Sequence, residues 1–101
     1  MFDKIMQAQR QMEAVKARLE TITVSEHLQG GAIKICATAS RKITEFKIDP
    51  DFLKNVNAEE LEELLVVAMN RVLEKAEKVN EAEMQGAAKD MLPGFSGLFG
   101  K

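Results

Sequence analysis

The chain reads as an α+β domain in which a long helix, a three-stranded antiparallel meander and a second long helix follow one another. Three observations predict this order. Between Gly30 and Ile48 apolar and polar residues alternate with a two-residue period, the mark of strands with one buried face. Before that stretch, Ile5, Ala8, Met12, Val15, Leu19 and Ile22 recur in strict steps of three and four, a helical seam. After it, Leu61, Leu64, Leu65, Ala68, Val72, Ala76 and Val79 form a second helical stripe.

The first helix carries Gln, Lys, Arg and Glu around its seam. The seam lasts about two and a half heptads, short of a coiled coil, so the helix is expected to pack edge-on against one partner helix. Thr21, Thr23 and Ser25 alternate with Ile22 and Val24, which places a first strand near residues 20–27, before a turn at Gly30 and Gly31. In the next strand Ile33, Ile35 and Ala37 share one face and Lys34, Cys36 and Thr38 the other; Thr44, Phe46 and Ile48 repeat the alternation in the third. Pro50 cannot donate to a strand ladder and biases Asp49 away from helix, so the third strand ends there, the chain turns, and a helix follows.

The second long helix begins at a strong signal. Asn57 is a good N-cap with Glu60 three residues on, and Glu59, Glu62 and Glu63 place negative charge where the helix dipole favours it. The acidic cluster is therefore a helix start, not a carboxylate site. This helix is expected to run to about Gln85, with Gly86 a weak point and Pro93-Gly94 a stop. The reading is one domain over residues 1–90 and an apolar, Gly- and Pro-containing tail over residues 91–101. Met6, Met12, Met69 and Met84 sit at or near the helix stripes and are read as adaptable core.

A chain of 101 residues, 46% hydrophobic and 30% charged, has the size and composition of one globular domain. No apolar run approaches the roughly 18–20 residues needed to span a bilayer, and the N-terminus has no apolar leader, so a cytoplasmic location is expected. Cys36 has no second thiol to pair with and reads as a buried spectator in a reducing compartment. His27 is the sole histidine, no metal-ligand spacing occurs, and Gly30-Gly31 leads into a strand rather than a phosphate-binding helix. No enzymatic activity, metal, cofactor or small-molecule substrate is expected.

Geometry argues for a second copy. A helix from Asn57 to Gln85 is roughly 42 Å long, whereas a three-stranded sheet is about 15 Å wide with strands of about 23 Å. Such a sheet cannot cover this helix and a first helix of about 30 Å, and it leaves an open edge. Homodimerisation is the economical solution.

The helix–meander–helix order, with GGAIKI, KITEFKIDPDFL, EELEELLVVAMNRVLEKAEK and the LPGF tail, resembles the YbaB/EbfC family of bacterial nucleoid-associated proteins over nearly the whole chain. The more specific pieces are Ile48-Asp49-Pro50 with Phe52-Leu53, the run Leu64 to Asn70, and Leu92-Pro93-Gly94-Phe95. The resemblance implies an intertwined homodimer with projecting, tweezer-like helices that binds double-stranded DNA in the nucleoid. It also implies a bacterial, cytoplasmic protein. The usual Gly- and Met-rich leader is nearly absent here.

The charges qualify the mode of binding. The formal net charge is −2, the wrong sign for a uniform polyanion binder, so distribution decides. Residues 30–48 hold four basic and one acidic residue, a balance of +3; residues 49–63 hold one basic and six acidic residues, a balance of −5. Candidate DNA contacts are Arg10, Lys16 and Arg18 on the first helix, Arg41 and Lys42 at the meander turn, and Arg71, Lys75 and Lys78, which share a face of the second helix by i, i+4, i+7 spacing. The competing reading is a solvated face, with Arg71 beside Glu74, Lys75 beside Glu74 and Glu77, and Lys78 beside Glu74 and Glu81. Contact is expected mainly with phosphates. The chain has no Trp or Tyr and its five Phe fall in expected core positions or the tail, and only Gln7, Gln9, Gln11 and Arg10 would suit base edges. A second reading stays open: an acidic dimeric interaction module whose tail residues Leu92, Phe95, Leu98 and Phe99 dock a protein partner, with DNA association indirect.

Overall fold

A computed structural model describes residues 2–91, with side chains through Lys89. The order is α1 (Phe2–Thr21), β1 (Thr23–Leu28), a 3-10 turn (Gln29–Gly31), β2 (Ile33–Thr38), β3 (Ile43–Ile48), α2 (Pro50–Asn55) and α3 (Ala58–Met91). The three strands form an antiparallel meander, β1-β2-β3. This is the expected α+β fold, with one element added, the short α2 that starts at Pro50 ahead of the long second helix.

Local chemistry sets each boundary. The 3-10 turn needs left-handed backbone at Gln29, Gly30 and Gly31, with φ of 55°, 65° and 97°, and two glycines supply most of it. The β2–β3 turn closes when Arg41 N–H donates to the Thr38 carbonyl at 2.9 Å. Here a non-glycine residue, Arg41, adopts φ 72°. The Asp49 side chain caps α2, accepting from Phe52 N–H at 3.1 Å, with Pro50 in the first turn. Asn57 caps α3, its Oδ1 accepting from Glu60 N–H at 2.7 Å. The helix runs through Gly86 without a break and reaches Met91, six residues past the expected Gln85. A single exposed glycine costs a helix only about 1 kcal/mol, too little to end one whose flanks are good helix formers.

α3 lies on one face of the sheet, over β1 and β2. Ile33, Ile35 and Ala37 of β2 and Ala68, Val72 and Ala76 of α3 have no solvent exposure; Leu28, with Val24, Phe52, Leu61, Leu64 and Leu73 at the margin, completes this core. The small residues at i, i+4 and i+8 of α3 let its backbone lie close to the sheet. The expected alternation holds in β2. In β3 the register slips between Cys36 and Ala37, so that Ala37 pairs with Ile43 and Thr44 is the extra, bulged residue. Thr44 therefore does not continue the Phe46–Ile48 face.

Because α3 covers β1 and β2, β3 is left open. Ile43 and Phe46 are more than a third exposed, and Phe46 is not the core residue its position in the alternation suggests. Glu77 of α3 is bonded to Arg41 beside β3, which turns the flank carrying Val66, Met69 and Leu73 towards that strand. Val66 is 60% and Met69 41% exposed. Met6 and Phe2, near the start of α1, are also exposed, so neither belongs to the core of one chain. Cys36 is buried on the far face of the sheet, its thiol donating to Glu45 Oε1 at 3.5 Å.

Candidate nucleic-acid interface

The second half of α3 leaves the sheet and pairs with α1 as an antiparallel arm. Leu19 is buried, Arg18 Nε lies 2.7 Å from Glu83 Oε1, and Lys16 and Met84 share a groove of about 250 Å³ with Leu19, Glu20 and Asn80. Asn80 anchors the base of the arm by donating to the Ala39 carbonyl at 3.0 Å. The molecule is long and thin as a result, 62 × 27 × 18 Å.

The basic residues divide into two sets by their partners. Arg18 is tied to Glu83, Lys42 Nζ to Glu20 at 3.2 Å, and Arg41 to Glu77. Lys75 Nζ lies 2.6 Å from Glu26 Oε1 and donates to the Ser25 carbonyl at 2.7 Å, while Arg71 approaches the same carboxylate at 3.9 Å. Glu26 sits on the α3-facing side of β1, opposite Ile35. The hydrogen bond from Lys75 holds its carboxyl below the ordinary glutamate range against the opposing effect of desolvation, with Arg71 and His27 adding to the same direction. The ion pairs thus run between elements. The pairings expected along α3 with Glu74, Glu77 and Glu81 are not the ones formed, because Glu26 and the turn arginine lie nearer the charged ends.

Among the described residues, Lys4, Arg10, Lys16, Lys54, Lys78 and Lys89 have no carboxylate within 4 Å. All but Lys54 are on the α1–α3 arm. Arg71, Lys75, Lys78 and Lys89 follow i, i+4, i+7 and i+18 spacing and so form one stripe along α3, pinned to Glu26 at its sheet end and unpaired further out. α1 itself carries four basic and three acidic residues, a balance of +1. The acidic stretch of residues 49–63 belongs to α2 and the first turns of α3, at the opposite end.

Of the candidate contacts, Arg10, Lys16 and Lys78 are therefore unpaired on the arm. Arg41 and Lys42 line the base groove with Lys16, and Arg18 is tied to Glu83 on the arm. Arg71 and Lys75 are tied down at the sheet. Leu92, Phe95, Leu98 and Phe99 lie outside the described residues. Sequence reasoning gave no weight to a basic row across the far face of the sheet, where the register sets His27 beside Lys34 and Lys34 beside Lys47. Lys34 and Lys47 share Glu45, at 4.0 and 3.5 Å, and the hydrogen bond from Cys36, followed by the charges of Lys34 and Lys47, holds its carboxyl below the ordinary range. Alternation alone puts each lysine on a polar face; only the strand register puts them side by side.

Fold and charge define a class, a small α+β domain with a helical arm that carries both signs of charge and, among its described residues, no cluster of His, Cys, Asp and Glu suited to a metal. Comparison with known proteins narrows it. The YbaB/EbfC DNA-binding family matches residues 1–91, and the chain belongs to that family. The family is one of DNA-binding proteins, not of enzymes. A nucleoid-associated protein of Flavobacterium johnsoniae is 40% identical over 98% of this chain and 94% of its own length. One from Dictyoglomus turgidum is 34% identical over 95% and 91%. An uncharacterized protein from Helicobacter pylori of known crystal structure shares the fold at a TM-score of 0.61, with 16% identity, over 87% of this chain and 98% of that one.

Proposed function

We propose that this chain is a homodimeric, nucleoid-associated protein of the bacterial cytoplasm that grips duplex DNA through its phosphates with the α1–α3 arms. One observation carries the reading: the cations without a carboxylate partner among the described residues, Lys4, Arg10, Lys16, Lys78 and Lys89, all sit on the arm, while the acidic residues of α2 and early α3 sit at the other end. The arm carries acidic residues as well, so the reading requires phosphates to meet the faces that present these cations and not the arm as a whole. The relatives bearing the name nucleoid-associated protein support the same destination. A second copy is the natural cover for the open face beside β3, where Ile43, Phe46, Val66 and Met69 are exposed next to an unpaired strand edge. A two-fold dimer doubles each arm and presents two basic surfaces to one duplex.

Arg18, Arg41 and Lys42 serve as a reserve in this reading. Exposed ion pairs are worth about 0–1 kcal/mol, so a phosphate can take the place of the carboxylate. Arg71 and Lys75 hold α3 to β1 and contribute less to the grip. The test is anisotropy of a labelled duplex at several salt concentrations, once light scattering has given the oligomeric state. Engagement of four to eight phosphates gives log K against log salt a slope of roughly −4 to −7. Absence of binding at low salt rejects the proposal.

A further inference from the structure

The base of the arm holds three ion pairs between segments distant in sequence: Arg18 with Glu83, Lys42 with Glu20 and Arg41 with Glu77. Two of these cations, Arg41 and Lys42, line the base groove of about 250 Å³ together with Lys16, which has no carboxylate within 4 Å among the described residues. Three cations therefore face one lining carboxylate, Glu20. A phosphodiester, with one negative charge and only acceptor oxygens, is the chemical complement of that lining.

The three pairs are not what fastens the base. Asn80 binds the Ala39 carbonyl at 3.0 Å, Ala39 N–H donates to the Ile22 carbonyl at 2.8 Å, and Leu19 is buried. Arg18, Arg41 and Lys42 are each more than half exposed, so water competes for both partners of every pair. The Lys75–Glu26 pair is of another kind: Glu26 is only 16% exposed, and Lys75 also donates to the Ser25 carbonyl. Arg41 gives a second sign. It stands at φ 72°, a conformation that glycine adopts at less cost, so the geometry of the turn does not account for an arginine there.

We infer that the base groove is a phosphate seat closed by the chain's own carboxylates. Glu20 and Glu77 hold Lys42 and Arg41 in place of backbone phosphates of duplex DNA, and the Arg18–Glu83 pair beside them is a third lock of the same kind. The inference rests on the DNA-binding reading above and adds its regulation. Lys16 makes the first contact; Glu20 and Glu77 then turn into water, and Lys42 and Arg41 pass to the phosphates. Internal competition holds affinity below what the cations alone would give, so removing the carboxylates strengthens binding.

The test compares three chains by anisotropy of a labelled duplex at several salt concentrations: the wild type, a base variant combining Glu20→Gln, Glu77→Gln and Glu83→Gln, and a charge-matched control combining Glu59→Gln, Glu62→Gln and Glu63→Gln at the start of α3. The base variant is expected to bind about tenfold more tightly than the control at low salt and to steepen log K against log salt by about 2–3 per chain, one phosphate for each freed cation. Adding Arg41→Ala and Lys42→Ala to it is expected to remove most of that gain. A base variant with the affinity and slope of the control, or with weaker binding than the wild type, overturns the inference and leaves the DNA-binding reading standing. Absence of binding by every chain at low salt rejects both. Should the base variant fail to fold in thermal melting, Glu77→Gln alone is read in the same way, with a steepening of about 1 per chain.

Discussion

Glu26 is the residue on which the placement of α3 turns. It receives Lys75 and Arg71 from α3 while standing next to the central strand. Its folded state binds a proton less readily than the unfolded chain, so its contribution to stability is complete at neutral pH and is lost as pH falls below the ordinary glutamate range and through its lowered folded-state value. Glu26→Gln is expected to lower stability at pH 7 by about 1 kcal/mol and to flatten the acid limb of a stability–pH curve measured by urea unfolding. Lys78 and Lys75 are a contrasting pair on one stripe. Lys78→Ala, which breaks no ion pair, is expected to leave the melting temperature unchanged and to reduce the salt slope of DNA binding by about 2 in a dimer, one phosphate per chain. Lys75→Ala is expected to do the reverse, costing stability with little change in slope. Equal effects of the two on slope would mean that the whole stripe engages DNA.

At the scale of elements, α3 is a single rod that serves both sheet and arm. Val72 is fully buried against β2, and Val72→Ala should cost about 2 kcal/mol in chemical denaturation through the cavity it leaves. Gly86 lies within the helix, and a Cβ built there meets nothing within 4 Å. Gly86→Ala is therefore expected to stabilise the chain by about 0.5–1 kcal/mol, and a loss of stability would mean that an unseen surface approaches that side of the arm. The elements were legible in the sequence to the extent that their signals are local. The 33–38 alternation, the Asn57 cap and the α1 seam each depend on neighbours within a turn or two. The bulge at Thr44, the pairing of Lys34 with Lys47 and the bond of Lys75 to Glu26 depend on register and on how α3 is rotated over the sheet. No spacing within one segment encodes those. Phe46 and Met69 read as core from their periodicity, which marks an apolar face but not whether its cover comes from the same chain or another. The candidate site was legible as a list of basic residues, but not as paired and unpaired sets, since that division is made by carboxylates from distant segments.

At the scale of the whole molecule, the open face beside β3 decides the thermodynamics. If a second copy covers it, folding and association are linked, and the melting temperature should rise with protein concentration. Phe46→Glu with Val66→Glu is expected to abolish the dimer in light scattering and to remove most DNA affinity, because one arm then acts alone. A dimer that survives both changes would place the interface elsewhere. The unbroken passage of α3 from sheet to tip has a mechanical meaning as well. From Ala76, where the helix last lies fully buried, to Met91 is about 22 Å of stiff rod. A tilt of about 10° at the sheet displaces its end by about 4 Å, roughly three-quarters of the rise of a helical turn. In the proposed dimer, small changes in packing beneath Val72, a temperature shift or a single altered methyl group, would thereby be amplified into the gap between the two arms. The span of the grip is set far from the surface that does the gripping.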